Sequence, residues 1–204
     1  MTTDRRPYHH GDLRRALLDA AATAIVENGA SSISLRDIAR RAGVSHAAPV
    51  HHFGDKTGLL TALATEGFEL LAGDLHAASK QGGLVDLGVC YVRFAIEHRA
   101  HFEVMFRPDL YNTDDPGLAS AGERAFTSLT EGIGDLGALS DSGASAVLAA
   151  WSLVHGFAAL WNAGILPTEL VTDPVDGARA IAEILTRTND PAETTQSTAD
   201  PSRP

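Results

Sequence analysis

Residues 34–56, SLRDIARRAGVSHAAPVHHFGDK, gather the side chains whose types and spacing fit contact with a nucleic-acid duplex. Arg36 and Lys56 are cationic, His46 and His51 carry imidazoles, Ser34 and Ser45 carry hydroxyls, and Ala47, Ala48 and Val50 are small and apolar. An imidazole donates or accepts at a base edge, whereas an alanine methyl offers only an apolar contact, for instance to a thymine methyl. Cations and hydroxyls hold phosphate oxygens, and so do the backbone N–H groups at a helix start. His46 is therefore the main candidate reader. Lys56, at the start of a following helix, is the main candidate phosphate anchor, with Ser34, Arg36, His51 and His52 as further phosphate candidates. With so few base-reading groups, part of any specificity falls to DNA shape. Arg5, Arg6, Arg14 and Arg15 add nonspecific attraction.

Tyr91, Phe94, Met105, Phe106, Phe126, Trp151, His155 and Trp161 form a second set, the apolar and aromatic residues that commonly line a small-molecule pocket. Burial in a core is the commoner use of an aromatic side chain, so the sequence leaves both uses open for each. Trp151 and His155, four apart, share one helix face, and Gly156 beside them admits a neighbouring helix or a ligand. Glu97, His98 and His101 raise a competing reading, a helical metal sensor or metalloprotein. A metal site in a helix bundle needs several inward carboxylates paired with Glu-x-x-His motifs, and the sequence does not supply that set. No catalytic group, cofactor or resident metal is expected. An adaptor that binds only other proteins is the remaining alternative.

These side chains need rigid supports. Leu35, Ile38, Ala39 and Ala42 recur at i, i+3, i+4 and i+7, which predicts a helix over 34–42 with one packed face. Gly43 closes it at a position suited to positive φ, Val44 plugs the core, and Ser45 is placed to cap a second short helix over 45–52. Pro49 then falls in that helix's first turn, where a missing N–H costs least. A helix over 11–29 precedes this pair, with Leu17, Ala21 and Ala24 along one stripe and Asn28-Gly29 as its stop. A longer helix, capped by Asp55, follows it toward Gln81-Gly82-Gly83. Further helices are predicted over 84–99, 100–107, 117–137, 143–164 and 174–188. Strand signals are absent over any useful length. The expected fold class is all-α with about nine helices: a three-helix head over 1–54, a larger helical body over 55–189, and a disordered tail over 190–204. The tail has three prolines and no Leu, Ile, Val or aromatic residue.

At 204 residues and 44% hydrophobic, the chain can build one good-sized core or two small ones. A net charge of −10 would argue against a nucleic-acid partner if it were evenly spread. It is not: residues 1–56 hold eight Lys and Arg against six Asp and Glu, and the remainder hold eight against twenty. A head able to approach phosphate, followed by an acidic body, fits a protein of which one part touches DNA. The single Cys90 excludes an intramolecular disulfide and suits a reducing cytoplasm. No secretion signal is read at the start. The apolar stretch 144–161 reads as a helix buried on nearly every side rather than a membrane span, because Ser145, Ser152 and His155 interrupt it. A cytoplasmic protein with no membrane partner is expected.

YHHGDLRRALLDAA (8–21), followed by SLRDIARRAGVSHAAPVHHFGDKTGLL (34–60), resembles the TetR family of bacterial transcriptional regulators. AWSLVHGFAALWNAG (150–164) and HRAHFEVMFRPDL (98–110) are similar to one C-terminal subgroup of that family. The resemblance implies a three-helix DNA-binding head, a larger all-helical C-terminal domain that binds a small effector, and a homodimer reading a palindromic operator; a repressor released from that operator by its effector is the function expected. It places Arg36, His46, Ala47, Ala48, Val50, His51 and Lys56 in the DNA-facing set. Family members commonly carry a tyrosine where Val50 stands, and its hydroxyl contacts phosphate. Valine cannot make that bond, so either affinity falls or His51 and Lys56 hold the phosphate instead. The homodimer is expected through the last two helices, with Val175, Ala178, Ile181, Ala182 and Leu185 as a stripe pairing with the 143–164 helix.

Overall fold

A computed structural model of the protein describes residues 10–134 and 143–187, and the side chains of 13–132 and 145–186 within them. The arm carrying Arg5 and Arg6 and the 190–204 tail, expected to be disordered, lie outside the described residues. Among the described residues the fold is all-helical: α1 (His10–Asn28), α2 (Leu35–Arg41), α3 (Ala48–Phe53), α4 (Lys56–Ser79), α5 (Leu84–Glu97), α6 (Arg99–Met105), α7 (Pro116–Gly134), α8 (Gly143–Asn162) and α9 (Pro174–Arg187). No described helix is long and apolar enough to cross a membrane.

Local chemistry sets most of the helix ends in the head. Gly29 ends α1 at φ 77° and Gly43 follows α2 at φ 67°, a region a Cβ disfavours. The Ser34 hydroxyl caps α2 by accepting the Asp37 N–H at 3.2 Å. Asp55 caps α4 by accepting the Gly58 N–H at 2.8 Å.

The start of α3 differs from expectation. Ala47, not Ser45, is its N-cap, and no side chain caps it. Pro49 supplies the reason. A helix capped by Ser45 would require the Pro49 nitrogen to donate to the Ser45 carbonyl, and proline has no N–H. The chain instead makes a turn in which the Ala48 N–H donates to the Ser45 carbonyl at 3.0 Å. Helical bonding begins with the His51 N–H donating to the Ala47 carbonyl at 2.9 Å. The helix starts about one turn later than expected, and His46 and Ala47 stand in the turn before it.

Two cores share two helices. The first half of α4 gives Leu59, Leu60, Leu63 and Ala64 to a head cluster with Leu17, Leu18, Ile25 and Ile38. Its second half gives Leu71, Ala72 and Leu75 to a body cluster with Tyr91, Phe94 and Val92. α6 divides by face rather than by length. Ala100 and Val104, four apart, belong to the head cluster, while Phe102 and Met105 belong to the body. α4 and α6 meet at Gly67, where a Cβ would lie 2.5 Å from Met105 Sδ and 3.0 Å from His101 Cβ. Only glycine permits that approach.

The last two helices correct two expectations. α8 is one-sided within the subunit: Ala150, Val154 and Ala158 are buried, whereas Leu148 is 60% exposed and Leu160 43%. In α9 most of the stripe expected at a dimer interface turns inward, Ile181 remaining half-buried. Ala178 and Ala182 are buried, a Cβ at Gly88 of α5 would lie 3.1 Å from the Ala182 Cβ, and Val175 and Leu185 pack on the body core. Helical periodicity reports that a face is buried but not which chain buries it.

Candidate functional site: the head surface and the body cavity

Ser45, His46 and Ala47 are exposed in the turn before α3, and Ala48 is half-buried at its start. Pro49 points inward, while Val50, 52% exposed, and His51 point outward. Arg36 is exposed in the first turn of α2. Ser34 is exposed, and its capping role uses a lone pair while leaving the hydroxyl hydrogen to donate. Lys56 is half-buried, and its Nζ donates to the Ser31 carbonyl at 2.6 Å, tying the start of α4 to the loop between α1 and α2. Two ammonium hydrogens remain for an anion.

Other cations of the head are committed to partners. Asp37 accepts from Arg40 and from Arg41, the latter at 2.6 Å, and these guanidiniums hold its carboxyl below the usual carboxylate range. Arg41 also pairs with Glu27 at 2.8 Å. The Arg14 guanidinium lies over the Phe53 ring at 5.5 Å, and Arg15 pairs with Asp19 at 2.7 Å and with Glu66 at 3.0 Å.

The body holds an apolar cavity of about 410 Å³, partly open to solvent, among α4, α5, α6, α7 and α8. Tyr91, Met105, Phe106, Phe126 and Trp151 line it, with Phe126 53% exposed. His155 stands behind this wall, its ring centroid 4.5 Å from that of Phe106. Phe94 is buried in the body core and faces a separate polar groove with Cys90 and Glu97. Trp161 stacks on Phe157 at 6.4 Å. The structure does not bring these two to the cavity. Sequence reasoning missed Phe68, Leu71 and Leu75 of α4, Tyr111, and Gly122 of α7 in the lining. A glycine interrupting an otherwise helical pattern at 122 was the one available signal. Gly156, expected to admit a close neighbour, has nothing within 4 Å of where its Cβ would be.

A short polar chain crosses the wall. The Trp151 Nε1–H donates to the Tyr91 oxygen at 3.1 Å, and that oxygen lies 2.9 Å from His155 Nδ1. Burial pushes the Tyr91 phenol up and pulls the His155 imidazole down, so at neutral pH a neutral phenol faces a neutral ring. One hydrogen serves the pair. Burial also raises the Cys90 thiol to about 11, which keeps it protonated and weakly nucleophilic.

Polar links join the cavity's helices to the head. His101 of α6, buried, has its Nε2 2.9 Å from Glu66 of α4, and Glu66 also accepts from Arg15 of α1. The His101 hydrogen bond and the Arg15 charge hold Glu66 below its ordinary range. Glu103 of α6 accepts the Ala30 N–H at 2.7 Å. His101 is thus already engaged. Among the described residues no group of three or more His, Cys, Asp or Glu is placed to hold an ion. The pairing of His101 with Glu66 does not favour a metal sensor built on Glu97, His98 and His101.

A helix-turn-helix head whose outer turn is exposed, sharing two helices with a body that holds an apolar cavity, is an architecture suited to a helical regulator of transcription. Residues 17–63 match the family model for bacterial regulatory proteins of the tetR family, and residues 84–187 match the tetracyclin repressor-like C-terminal domain. The chain belongs to the TetR family. The HTH-type transcriptional regulator BetI of Brucella canis is 41% identical over 68 residues, 33% of this chain and 34% of that protein. The chain thus matches about a third of the length of such curated relatives. A protein of unknown function from Rhodococcus sp. RHA1 has a solved structure with TM-score 0.74 and 31% identity, covering 91% of this chain and 99% of that one. The SmeT–triclosan complex shares the fold at TM-score 0.56 and 22% identity, over 87% of this chain and 91% of that one.

Proposed function

We propose that this chain is an effector-responsive repressor, cytoplasmic and without catalytic activity, that binds a palindromic operator as a homodimer and leaves it when a small molecule fills the body cavity. The observation that carries this reading is the double allegiance of α6. Met105 forms part of the cavity wall, whereas Ala100 and Val104 on the same helix are packed into the head core and Glu103 holds the Ala30 N–H. A molecule that displaces Met105 or Phe106 therefore works against contacts that fix the head. It shifts the DNA-binding equilibrium by as much as its affinities for the two arrangements differ. That SmeT was solved as a complex with triclosan lends support to a small-molecule ligand for a chain of this fold.

On the DNA side, His46 reads a base edge, Ala47 and Ala48 make apolar contacts, and Ser45 supports them from the turn. Lys56, Arg36, Ser34 and His51 hold phosphate, and Val50 rests against the backbone without a hydrogen bond. One head offers too few contacts for tight specific binding, which favours two heads on successive major grooves. α8 and α9 supply the dimer contact through the outer face that leaves Leu148 and Leu160 exposed, not through the inward stripe of α9. Selection of bound DNA from a random library with the full chain tests the reading, followed by a screen for molecules that release the selected DNA. Inverted repeats with half-sites one helical turn apart, bound by a dimer in sedimentation, are expected. Lack of any enriched sequence overturns the DNA assignment, and enrichment of single half-sites by a monomer overturns the dimer.

A further inference from the structure

We infer that the body cavity takes an uncharged aromatic molecule and rejects charged ones, and that Gly122 leaves open the space its rings occupy; this rests on the reading of that cavity as the effector site. Three observations carry it. Among the described residues that line the cavity, none is Asp, Glu, Lys, Arg or His. A carboxylate or ammonium entering it would shed its hydration and meet no opposite charge, which is the costliest transfer a ligand can make.

The polar atoms of the wall are, second, already partnered. The Trp151 Nε1–H and the Tyr91 oxygen serve each other, Tyr91 and His155 share a hydrogen, and the Tyr111 O–H donates to the Met105 carbonyl at 3.0 Å. No described buried side-chain nitrogen or oxygen lacks a partner. The site therefore demands no polar group of its occupant. What it offers is rings at varied tilt: Phe68 stands edge-on to Phe106 at 6.0 Å and Phe126 edge-on to Trp151 at 6.4 Å. Such an array presents both ring edges and ring faces to a third ring. A quaternary cation would also find those faces, but no carboxylate in the lining completes its cage.

Gly122 is the third observation. It lies in α7 at the cavity, and a Cβ built there meets nothing within 4 Å. The void is thus next to a helix position at which a Cβ displaces no neighbour. A larger side chain at 122 should extend from there into the cavity.

The test uses the full chain and para-substituted biphenyls bearing a hydroxymethyl, a carboxylate or a trimethylammonium group, titrated by calorimetry. The hydroxymethyl compound should bind about tenfold or more tighter than either charged one. Gly122→Leu and Gly122→Phe should each weaken that binding by about tenfold or more, with no fall in melting temperature. Equal or tighter binding of a charged compound overturns the inference. So does neutral binding that survives both substitutions, or no binding of any of the three. Release of the selected operator DNA, measured in parallel, separates this inference from the one beneath it. A neutral compound that binds in a Gly122-dependent way yet leaves the DNA bound upholds the ligand class and overturns the effector reading. A charged compound that binds and releases DNA does the reverse.

Discussion

The Tyr91 oxygen and His155 Nδ1, 2.9 Å apart, tie α5 to α8 behind the wall of the body cavity. Trp151 donates to the same oxygen, so one phenol satisfies two neighbours in a place where water has poor access. Tyr91→Phe keeps the ring and removes the oxygen, leaving an indole N–H and an imidazole nitrogen to be satisfied elsewhere. The expected loss is about 1–3 kcal/mol of stability, read from urea unfolding of the two proteins. An unchanged midpoint would mean the phenol oxygen contributes nothing to the fold.

The same pair gives the body a pH dependence. Burial lowers the His155 pKa, so the folded-state value lies below the unfolded one, about 6.5. The stabilisation that comes from a neutral imidazole is fully present above the unfolded pKa and fades as pH falls through the folded one. Stability of the parent chain should therefore drop as pH falls below the unfolded value, and His155→Gln should flatten that slope. Identical slopes in both proteins would assign the titration to another group.

How far the sequence revealed these arrangements depended on the range over which each cause acts. The caps at Ser34 and Asp55 and the stop at Gly43 are settled by bonds spanning three or four residues, and all three were legible. The start of α3 is equally local, but it turns on one proline nitrogen rather than on the serine side chain that precedes it. Tyr91, Trp151 and His155 stood out by type, yet nothing in the chain says that residues 60 or more positions apart share a hydrogen-bond chain. Gly122 matters for the volume it leaves empty, which depends on what stands on the helices opposite. The inward turn of the α9 stripe was hidden for the same reason: Ala178 and Ala182 announce a packed face and not its partner.

Glu66 receives His101 from the body and Arg15 from the head, and Glu66→Gln should weaken both links. The Arg15 contact is largely solvent-exposed and contributes little, so the loss of about 1–3 kcal/mol comes mainly from His101, buried beside it. Because Glu66 is held below its ordinary pKa, its contribution is present above the unfolded carboxyl pKa and disappears as pH falls through the folded value. The stability difference between the two proteins should shrink in acid. A difference that stays constant from neutral to acid pH would exclude the ionised carboxylate as its source.

Two glycines in helices predict opposite outcomes for one substitution. Gly67→Ala places a Cβ 2.5 Å from Met105 Sδ at the crossing of α4 and α6, and should destabilise by about 1–3 kcal/mol while displacing the helix shared by cavity and head. Gly122→Ala meets open space and should stabilise α7 by about 0.5–1 kcal/mol through the loss of glycine's unfolded-state freedom. Thermal unfolding of both variants reads the signs directly. A stable Gly67→Ala protein would show that α6 is free to move away from α4.

Lys56 and Val50 divide the question of how the head grips phosphate. The Lys56 ammonium already holds the Ser31 carbonyl, so Lys56→Ala removes a structural tie along with any phosphate contact, and affinity alone cannot separate the two. The salt dependence can: loss of one phosphate contact lowers the slope of log affinity against log salt by about one unit, whereas a loosened loop leaves the slope unchanged. Val50, exposed on the outer face of α3, permits the converse experiment. Val50→Tyr supplies a hydroxyl on that outer face, and it should raise affinity across all DNA sequences by about tenfold or more, the worth of one added hydrogen bond to a charged group. A gain confined to particular sequences would place residue 50 at a base edge instead, and no gain at all would mean that the turn imposed by Pro49 holds α3 too far from the backbone for any side chain there to reach.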